Sequence, residues 1–326
     1  MKSISLIQLS YLVAVFQHRN FGDAARACHV SQPTLSVQIQ KLEEELGIIA
    51  FDRSRKPVEP TLIGRKIIQQ AQNILLEVQR IEELIKTERG EIAGDFKLGI
   101  IPTLAPYLLP LFLKKFTQNF PRVNLILEEL QTQQILEKLK EDKLDAGILV
   151  TPLNCQGIVE RPLFYEPFIV YLTPGHPLHS LKKVSDKDLT LEDVWLLNEG
   201  HCFRDQAMEI CKKVREKDSP KKNLVFESGN LETLMRLVDQ NLGYTLVPYL
   251  SIREMPDSMQ RKKLRFFKPP VPLREVSLVF CRSYLKQGII EVLSKEITRC
   301  LPRNLQTRQG NGKIIKLTSF NRKNSS

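Results

Sequence analysis

The chain has 326 residues, a formal net charge of +11, 42% hydrophobic residues and 26% charged residues. These proportions fit a soluble globular protein with room for two or three cored domains, and without a run of about 18 apolar residues they exclude a membrane-spanning helix. Six cysteines with no short-range pairing are not a secreted disulfide framework, and no Cys/His cluster has zinc spacing, so no metal site is expected.

The N-terminus lacks the apolar core and cleavage site of a signal peptide, so a cytoplasmic location and no membrane partner are expected. The charge is unevenly spread. Residues 1–90 hold twelve Lys/Arg against ten Asp/Glu, whereas the segment from Arg303 onward holds six basic residues and no acid. Bulk charge therefore does not by itself point to DNA, and pattern has to decide.

Residues 4–20 predict a helix with Ile7, Tyr11, Leu12, Val15 and Phe16 on one face. A short second helix from Gly22 to Val30 is rich in small residues suited to close contact. Ser31, Gln32 and Pro33 make a turn and a start signal for a third helix, Thr34 to Leu46, whose Leu35, Ile39, Leu42 and Leu46 face inward. Thr34, Gln38 and Lys41 lie opposite, beside Ser36 and Gln40. A polar outer face on the second helix of a helix-turn-helix suits the major groove, where Gln pairs with adenine and Ser or Thr reaches bases or phosphates. Gly47 stops that helix, Ile48 to Phe51 begins a strand, and the loop from Asp52 to Pro60 carries Arg53, Arg55 and Lys56 as a wing whose cations would rest on phosphates. Candidate DNA contacts are Ser31, Gln32, Pro33, Thr34, Ser36, Gln38, Lys41, Arg53, Arg55 and Lys56. The bland alternative is a helical subdomain with a solvated basic loop.

A long helix over residues 61–88 follows, roughly 40 Å at 1.5 Å per residue. Its Ile67, Ala71, Ile74, Val78, Ile81 and Ile85 form a heptad seam that asks for a partner helix and thus a dimer. The boundary is Arg89-Gly90-Glu91. Beyond it strands and helices alternate: strands at Phe96–Ile101, Val123–Leu130 and Asp145–Val150, with helices after Pro102-Thr103 and from Thr132. Leu163 to Leu172 reads as a strand pair crossing into a second α/β unit. That unit contains Val194–Leu197, Leu224–Glu227, helix Leu231–Gln240 and strand Tyr244–Val247. A strand from Arg274 to Phe280 returns to the first unit, followed by a helix from about Tyr284 to Arg299.

The expected architecture is a mostly α winged helix-turn-helix (residues 1–60), a dimerisation linker helix (61–90) and an α/β regulatory domain of two Rossmann-like subdomains (91–302). Subdomain I takes 91–164 and 269–302, and subdomain II takes 165–268, with a cleft between them. No Gly-rich phosphate loop follows any strand, so no cofactor is expected. The tail, 303–326, is rich in Asn, Gln, Ser, Lys and Arg and reads as disordered.

The chemistry concentrates in Gly200-His201-Cys202 and the helix that follows. A thiol at a helix N-terminus meets unpaired N–H groups and the positive end of the helix dipole, which favour thiolate, and His201 and Arg204 could add positive potential. Cys211 lies nine residues on, roughly 13 Å along an intact helix and on its opposite face. A disulfide needs Cα atoms within about 7 Å, so these thiols can bond only if the helix unwinds. That would make a redox switch. Two unrelated helix cysteines are the plain alternative.

Phe21-Gly22-Asp23-Ala24-Ala25-Arg26-Ala27-Cys28-His29-Val30-Ser31-Gln32-Pro33-Thr34-Leu35-Ser36, then Lys41-Leu42-Glu43 and Thr61 with Gly64, resembles the DNA-binding signature of LysR-type transcriptional regulators. Gly200-His201-Cys202 through Cys211, with Ile101-Pro102-Thr103 and Pro106-Tyr107-Leu108-Leu109-Pro110, resembles the peroxide-sensing branch of that family. The resemblance implies a periplasmic-binding-protein-like regulatory domain, a homodimer or homotetramer on promoter DNA, contact with RNA polymerase, and activation of antioxidant genes. Hydrogen peroxide would be the signal, and a glutaredoxin- or thioredoxin-type reductant would reset the protein. It further implies that Cys202 is the peroxidatic thiol and Cys211 the resolving one, with Thr103, Thr132, His201 and Arg274 around the peroxide. Hydroxyls and an imidazole can orient peroxide oxygens and stabilise a leaving hydroxide. Cys155, Cys281 and Cys300 have no assigned role, and Cys28 fits core packing.

Three other readings compete. A regulator of the same family could sense a small metabolite in the cleft between the subdomains. A thiol peroxidase would turn peroxide over and have no use for the N-terminal segment; stoichiometric signalling is instead not enzymatic. A solute-binding protein would need an export signal.

Overall fold

A computed structural model of the chain describes residues 4–88, 92–191, 193–211, 228–281, 286–307 and 310–317. It divides into two compact units, Met1–Gly90 and Glu91–Ser326. The first holds α1 (Leu6–His18), α2 (Phe21–Ala27), α3 (Gln32–Leu46), the ribbon β1 (Phe51–Asp52) and β2 (Glu59–Pro60), and the long α4 (Leu62–Glu88). Side-chain oxygens cap the three short helices, which satisfies amide groups left open in each first turn. Ser5 and Gln8 form a reciprocal box on α1, Asn20 accepts from Gly22 and Asp23, and Ser31 accepts from Thr34. The third helix therefore starts at Gln32, two residues before the expected Thr34, with Pro33 inside its first turn. Leu12, Val15, Leu35, Ile39, Leu42 and Phe51 make the core.

The start of α4 closes this unit. A Cβ at Gly64 would stand 2.0 Å from the Ala50 carbonyl oxygen, so only glycine lets the helix lie this close to the chain before the wing. Thr61 fixes the approach by donating to the Ile49 carbonyl at 2.7 Å. Farther along, Ile68 and Ala71 are buried in the same core, whereas Ile74, Ile81 and Ile85 are 44%, 60% and 50% exposed. Of the heptad seam, Ile67 and Ala71 thus pack on their own unit, Val78 is half-buried, and the other three positions are uncovered in the single chain.

The second unit opens with β3 (Gly94–Ile100), α5 (Ala105–Asn119), β4 (Val123–Glu129), α6 (Thr132–Lys140), β5 (Ala146–Thr151) and β6 (Ile158–Tyr171). Next come β7 (Lys183–Val184), β8 (Val194–Trp195), α7 (Cys202–Ile210), α8 (Leu231–Asp239), β9 (Tyr244–Pro248), α9 (Tyr249–Ile252), α10 (Asp257–Lys263) and β10 (Leu264–Phe267). The chain finishes with β11 (Val271–Cys281), α11 (Gln287–Cys300), α12 (Arg303–Gln306) and β12 (Gly312–Ile314). Subdomain I is built on the order β4-β3-β5-β11-β6, parallel among β4, β3 and β5 and antiparallel where β11 meets β5 and β6. The far end of β6 pairs with β9 and β10 and so enters subdomain II.

The expected strand pair at Leu163–Leu172 is thus one continuous strand of 14 residues. No turn is needed because its two ends take different partners. Phe164 belongs to the first hydrophobic core and Phe168 through Leu172 to the second. The expected strand at Leu224–Glu227 lies outside the described residues, where only a bridge from Leu197 to Ser228 borders it. The expected helix start at Tyr284 also lies outside them.

The tail departs from expectation. Instead of disorder from residue 303, α12 buries Leu305, and β12 pairs in parallel with β11, Gly312 opposite Val271 and Ile314 opposite Leu273. Ile315 and Leu317 are buried on either side of exposed Lys316. Averaged composition hid this strand, because its alternation occupies few residues inside a basic, polar stretch. Residues 318–326 lie outside the described part. Among the described residues no helix is long and apolar enough to cross a membrane.

Candidate functional site

Gly200 turns the chain into α7 with φ of +91°, and a Cβ there would lie 2.4 Å from the Gln131 side-chain oxygen. The positive φ calls for a glycine, whereas the flexible end of Gln131 could turn aside. His201 occupies the N-cap position, and Cys202 is the first helical residue. The Cys202 thiol is 6% exposed and lies 3.0 Å from Thr132 Oγ1, the first residue of α6. Burial pushes this thiol up to about 11, against the downward pull of the Thr132 hydrogen bond, with Asp205 raising it further and Arg274 lowering it. The expected thiolate at the helix N-terminus is therefore overruled: desolvation wins, and Cys202 is a protonated thiol near neutral pH.

Two cations expected to favour thiolate do not do so. Burial lowers the His201 imidazole below its ordinary value, toward the neutral form, and its Nε2 would stand 3.4 Å from a Cβ at Gly229. Arg204 reaches backward to the Leu197 carbonyl at 2.8 Å. The cation that does bear on the thiol is Arg274, 1% exposed on β11. Its guanidinium donates to Thr103 Oγ1 at 3.1 Å and to the Thr103 carbonyl at 3.2 Å, and it stands over the Phe203 ring, 5.3 Å from the centroid. Because Phe203 adjoins Cys202 in sequence, the four buried residues Cys202, Thr132, Thr103 and Arg274 flank one place in the fold. His201 borders it from the helix cap.

Sequence reasoning missed the residue that holds Arg274. Glu166, fully buried on β6 and directly opposite Arg274 in the β6–β11 register, accepts from Arg274 Nε at 2.8 Å and Nη2 at 2.7 Å. Its other oxygen accepts from the Leu250 amide at 2.6 Å. A carboxylate inside the otherwise uncharged run Leu163–Tyr171 is the signal, since buried charges are almost always paired.

Cys211 caps the other end of α7, 0% exposed, with its sulfur 3.7 Å from the Tyr244 hydroxyl. Burial raises it to about 11 as well. Cys202 belongs to the first core and Cys211 to the second. Both thiols are free. Cys28, Cys155, Cys281 and Cys300 are half-buried against apolar clusters.

On the N-terminal unit, Ser31, Gln32, Pro33, Thr34 and Lys41 are exposed, and Ser36 and Gln38 are half-buried on the same helix. The wing is less uniform than expected. Arg53, Arg55 and Lys56 are all exposed, and Arg55 pairs with Glu59 at 2.9 Å. Arg53 is tied to Glu43 at 2.8 Å, reaches Ser36 Oγ at 3.4 Å and lies over the Phe21 ring. Glu43 in turn accepts from the Ala50 and Phe51 amides. Arg53 is thus a brace between wing and third helix.

The model of the bacterial regulatory helix-turn-helix proteins of the lysR family matches residues 6–65, and that of the LysR substrate binding domain matches residues 89–296. The chain belongs to the LysR family. Among members of the family it is similar to the hydrogen peroxide-inducible genes activator of Pectobacterium carotovorum subsp. carotovorum, 35% identical over 93% of this chain and 99% of that protein. It is 37% identical to the dual regulator OxyR of Escherichia coli K12, over 85% of this chain and 89% of the relative. In structure this LysR-family chain is similar to a full-length Cys-to-Asp variant of OxyR from Pseudomonas aeruginosa, with a TM-score of 0.72 and 35% identity, covering 92% of this chain and 99% of the other. It is also similar to a peroxide-bound OxyR cysteine variant from Corynebacterium glutamicum, with a TM-score of 0.60 and 28% identity over 92% and 94% of the two chains. The winged helix-turn-helix followed by a two-subdomain α/β unit is the architecture of this LysR-family protein.

Proposed function

We propose that this LysR-family protein is a DNA-binding transcription regulator that senses hydrogen peroxide through Cys202 and activates antioxidant genes. One observation carries the reading. A buried thiol, bonded to Thr132 and beside the Arg274–Thr103 pair, begins a helix whose other end carries a second buried thiol in a different core. The relatives named for peroxide induction support it.

The chemistry balances with peroxide as the oxidant. Cys202 sulfur attacks one peroxide oxygen, an S–O bond forms as the O–O bond breaks, and the thiol proton leaves with the departing hydroxide as water. Thr103, Thr132 and His201 orient the two oxygens, and Arg274 stabilises the charge on the leaving group. Cys211 sulfur then attacks the sulfenic sulfur: S–S forms, S–O breaks, and a second water leaves. Two thiols and one peroxide yield one disulfide and two waters. A glutaredoxin- or thioredoxin-type reductant returns both thiols.

The exposed seam of α4 supports association into a dimer, and the family resemblance supports a tetramer acting with RNA polymerase in the cytoplasm. Ser31 to Lys41 would face the promoter, with Arg55 and Lys56 on its phosphates.

The test is disulfide mapping by mass spectrometry after brief exposure to substoichiometric peroxide. A Cys202–Cys211 crosslink absent from the reduced protein is expected. A folded protein whose Cys202 stays untouched overturns the reading and leaves a metabolite in the cleft as the signal.

A further inference from the structure

Gln206 is the one long polar side chain that α7 buries completely, and it stands one turn after Cys202 on the same face. A buried amide needs partners; the Gln206 Oε1 has none among the described residues, so the donor side alone holds this side chain. Its Nε2 donates to the Ile315 carbonyl at 2.7 Å, and Ile315 belongs to the C-terminal segment 109 residues away. That segment is held from the other side by the sheet. β12 runs parallel to β11, and the Ile315 amide donates to the Leu273 carbonyl at 2.9 Å. Leu273 is the neighbour of Arg274. The segment also reaches both cores that the two thiols occupy: Ile315 packs in the core of Cys211, Phe203 and Ile210, and Leu317 in the core of Cys202. The redox helix is thus fastened to the sheet through the C-terminal segment at its midpoint.

We propose that Gln206 and the segment Gly312–Leu317 are positioning elements for disulfide formation, a clasp that holds α7 wound and thereby sets how readily Cys211 reaches Cys202. This rests on the peroxide-sensing reading above and adds a determinant to it. Joining the thiols requires unwinding of the nine-residue helix between them. Unwinding takes Gln206 away from Ile315 and leaves a buried carbonyl without its donor unless the strand lifts too. The clasp acts on the second chemical step alone. Peroxide oxidises Cys202 to sulfenic acid, releasing water, while α7 is still wound. Condensation with Cys211, which releases the second water, has to open the clasp.

Two variants of the full reduced protein test this: Gln206→Leu, which keeps volume and helix propensity but loses the donor, and a chain ending at Gly310, which removes β12 and Leu317. In each, Cys202 sulfenic acid formation is timed in a Cys211→Ser background with a carbon-acid trap. Disulfide formation and its equilibrium in dithiothreitol buffers are measured with both cysteines present. Loss of one hydrogen bond to a buried group should raise the rate of disulfide formation and its equilibrium constant about fivefold. Sulfenic acid formation should stay unchanged. Since both variants break the same contact, Gln206→Leu in the shortened chain should add little to the shortening.

Disulfide kinetics and equilibrium equal to the unaltered protein's overturn the clasp. So do two steps slowed together, or full additivity of the two changes. If the shortened chain does not fold, the Gln206→Leu measurements alone decide. Failure of the unaltered protein to form any Cys202–Cys211 disulfide instead overturns the peroxide reading beneath it, so the two failures are distinct.

Discussion

Cys202 and Cys211 stand at the two ends of one nine-residue helix, and each is buried in a different hydrophobic core. A disulfide between them therefore cannot be a local closure. It needs Cα atoms within about 7 Å, against roughly 13 Å along an intact helix. At least one thiol has to leave its core, and Phe203, Gln206, Ala207 and Ile210, all buried on the same helix, have to move with it. Amide hydrogen exchange checks this. Amides of residues 203–211 should be protected in the reduced protein and lose protection in the disulfide form, whereas β3, β5 and β11 stay protected. Retained protection across α7 after oxidation would exclude the Cys202–Cys211 pairing.

The two thiols also make the reduced protein sensitive to alkali. Burial raises both to about 11, so each binds its proton more tightly folded than unfolded. Their contribution is fully present below the ordinary thiol range and is lost as pH rises through about 9 to 11, at about 3 kcal/mol per thiol. Thermal melts of the reduced protein from pH 7.5 to 10.5 should fall with pH, and fall less in the Cys202→Ser, Cys211→Ser variant. For the same reason alkylation of Cys202 should accelerate by about tenfold per pH unit from about pH 7 to 9 with no plateau. A plateau in that range would mean a thiolate already formed.

What sequence made legible, and what it did not, divides along physical lines. The pair Cys202 and Cys211 and the start of α7 follow from local spacing and glycine chemistry, and the outer face of α3 follows from helical periodicity. The protonation state of Cys202 does not, because the helix N-terminus is a local feature and the desolvation that opposes it comes from packing by distant segments. Glu166 and Arg274 are 108 residues apart in sequence, so their pairing needs the β6–β11 register. The C-terminal strand was hidden because a basic, polar composition outweighed three buried apolar residues, Leu305, Ile315 and Leu317.

The Arg274–Glu166 pair predicts two different outcomes for two substitutions. Glu166→Ala leaves a fully buried guanidinium without its carboxylate, which costs about 3–5 kcal/mol. Glu166→Gln keeps an acceptor of the same shape for Arg274 and should cost less. Unfolding of the reduced protein in urea ranks the two. In the folded Glu166→Gln protein the rate of Cys202 oxidation by peroxide should fall, since Arg274 is less firmly aimed at Thr103. An unchanged rate would remove Arg274 from the peroxide chemistry.

Lys41 and Arg53 separate DNA contact from bracing within the N-terminal unit. Lys41 is exposed on the outer face of α3, and its replacement by Ala should weaken promoter binding across sequences and lower the log–log salt slope by about 1. Stability should hardly change. Arg53 is held by Glu43, Ser36 and the Phe21 ring, and Glu43 also fixes the Ala50 and Phe51 amides. Arg53→Ala should therefore lower the melting temperature of the N-terminal unit and weaken binding through a displaced wing, with little change in salt slope. Titrations at several salt concentrations beside thermal melts give both quantities for both variants. A stable Arg53→Ala protein with a slope reduced like that of Lys41→Ala would return Arg53 to the phosphates.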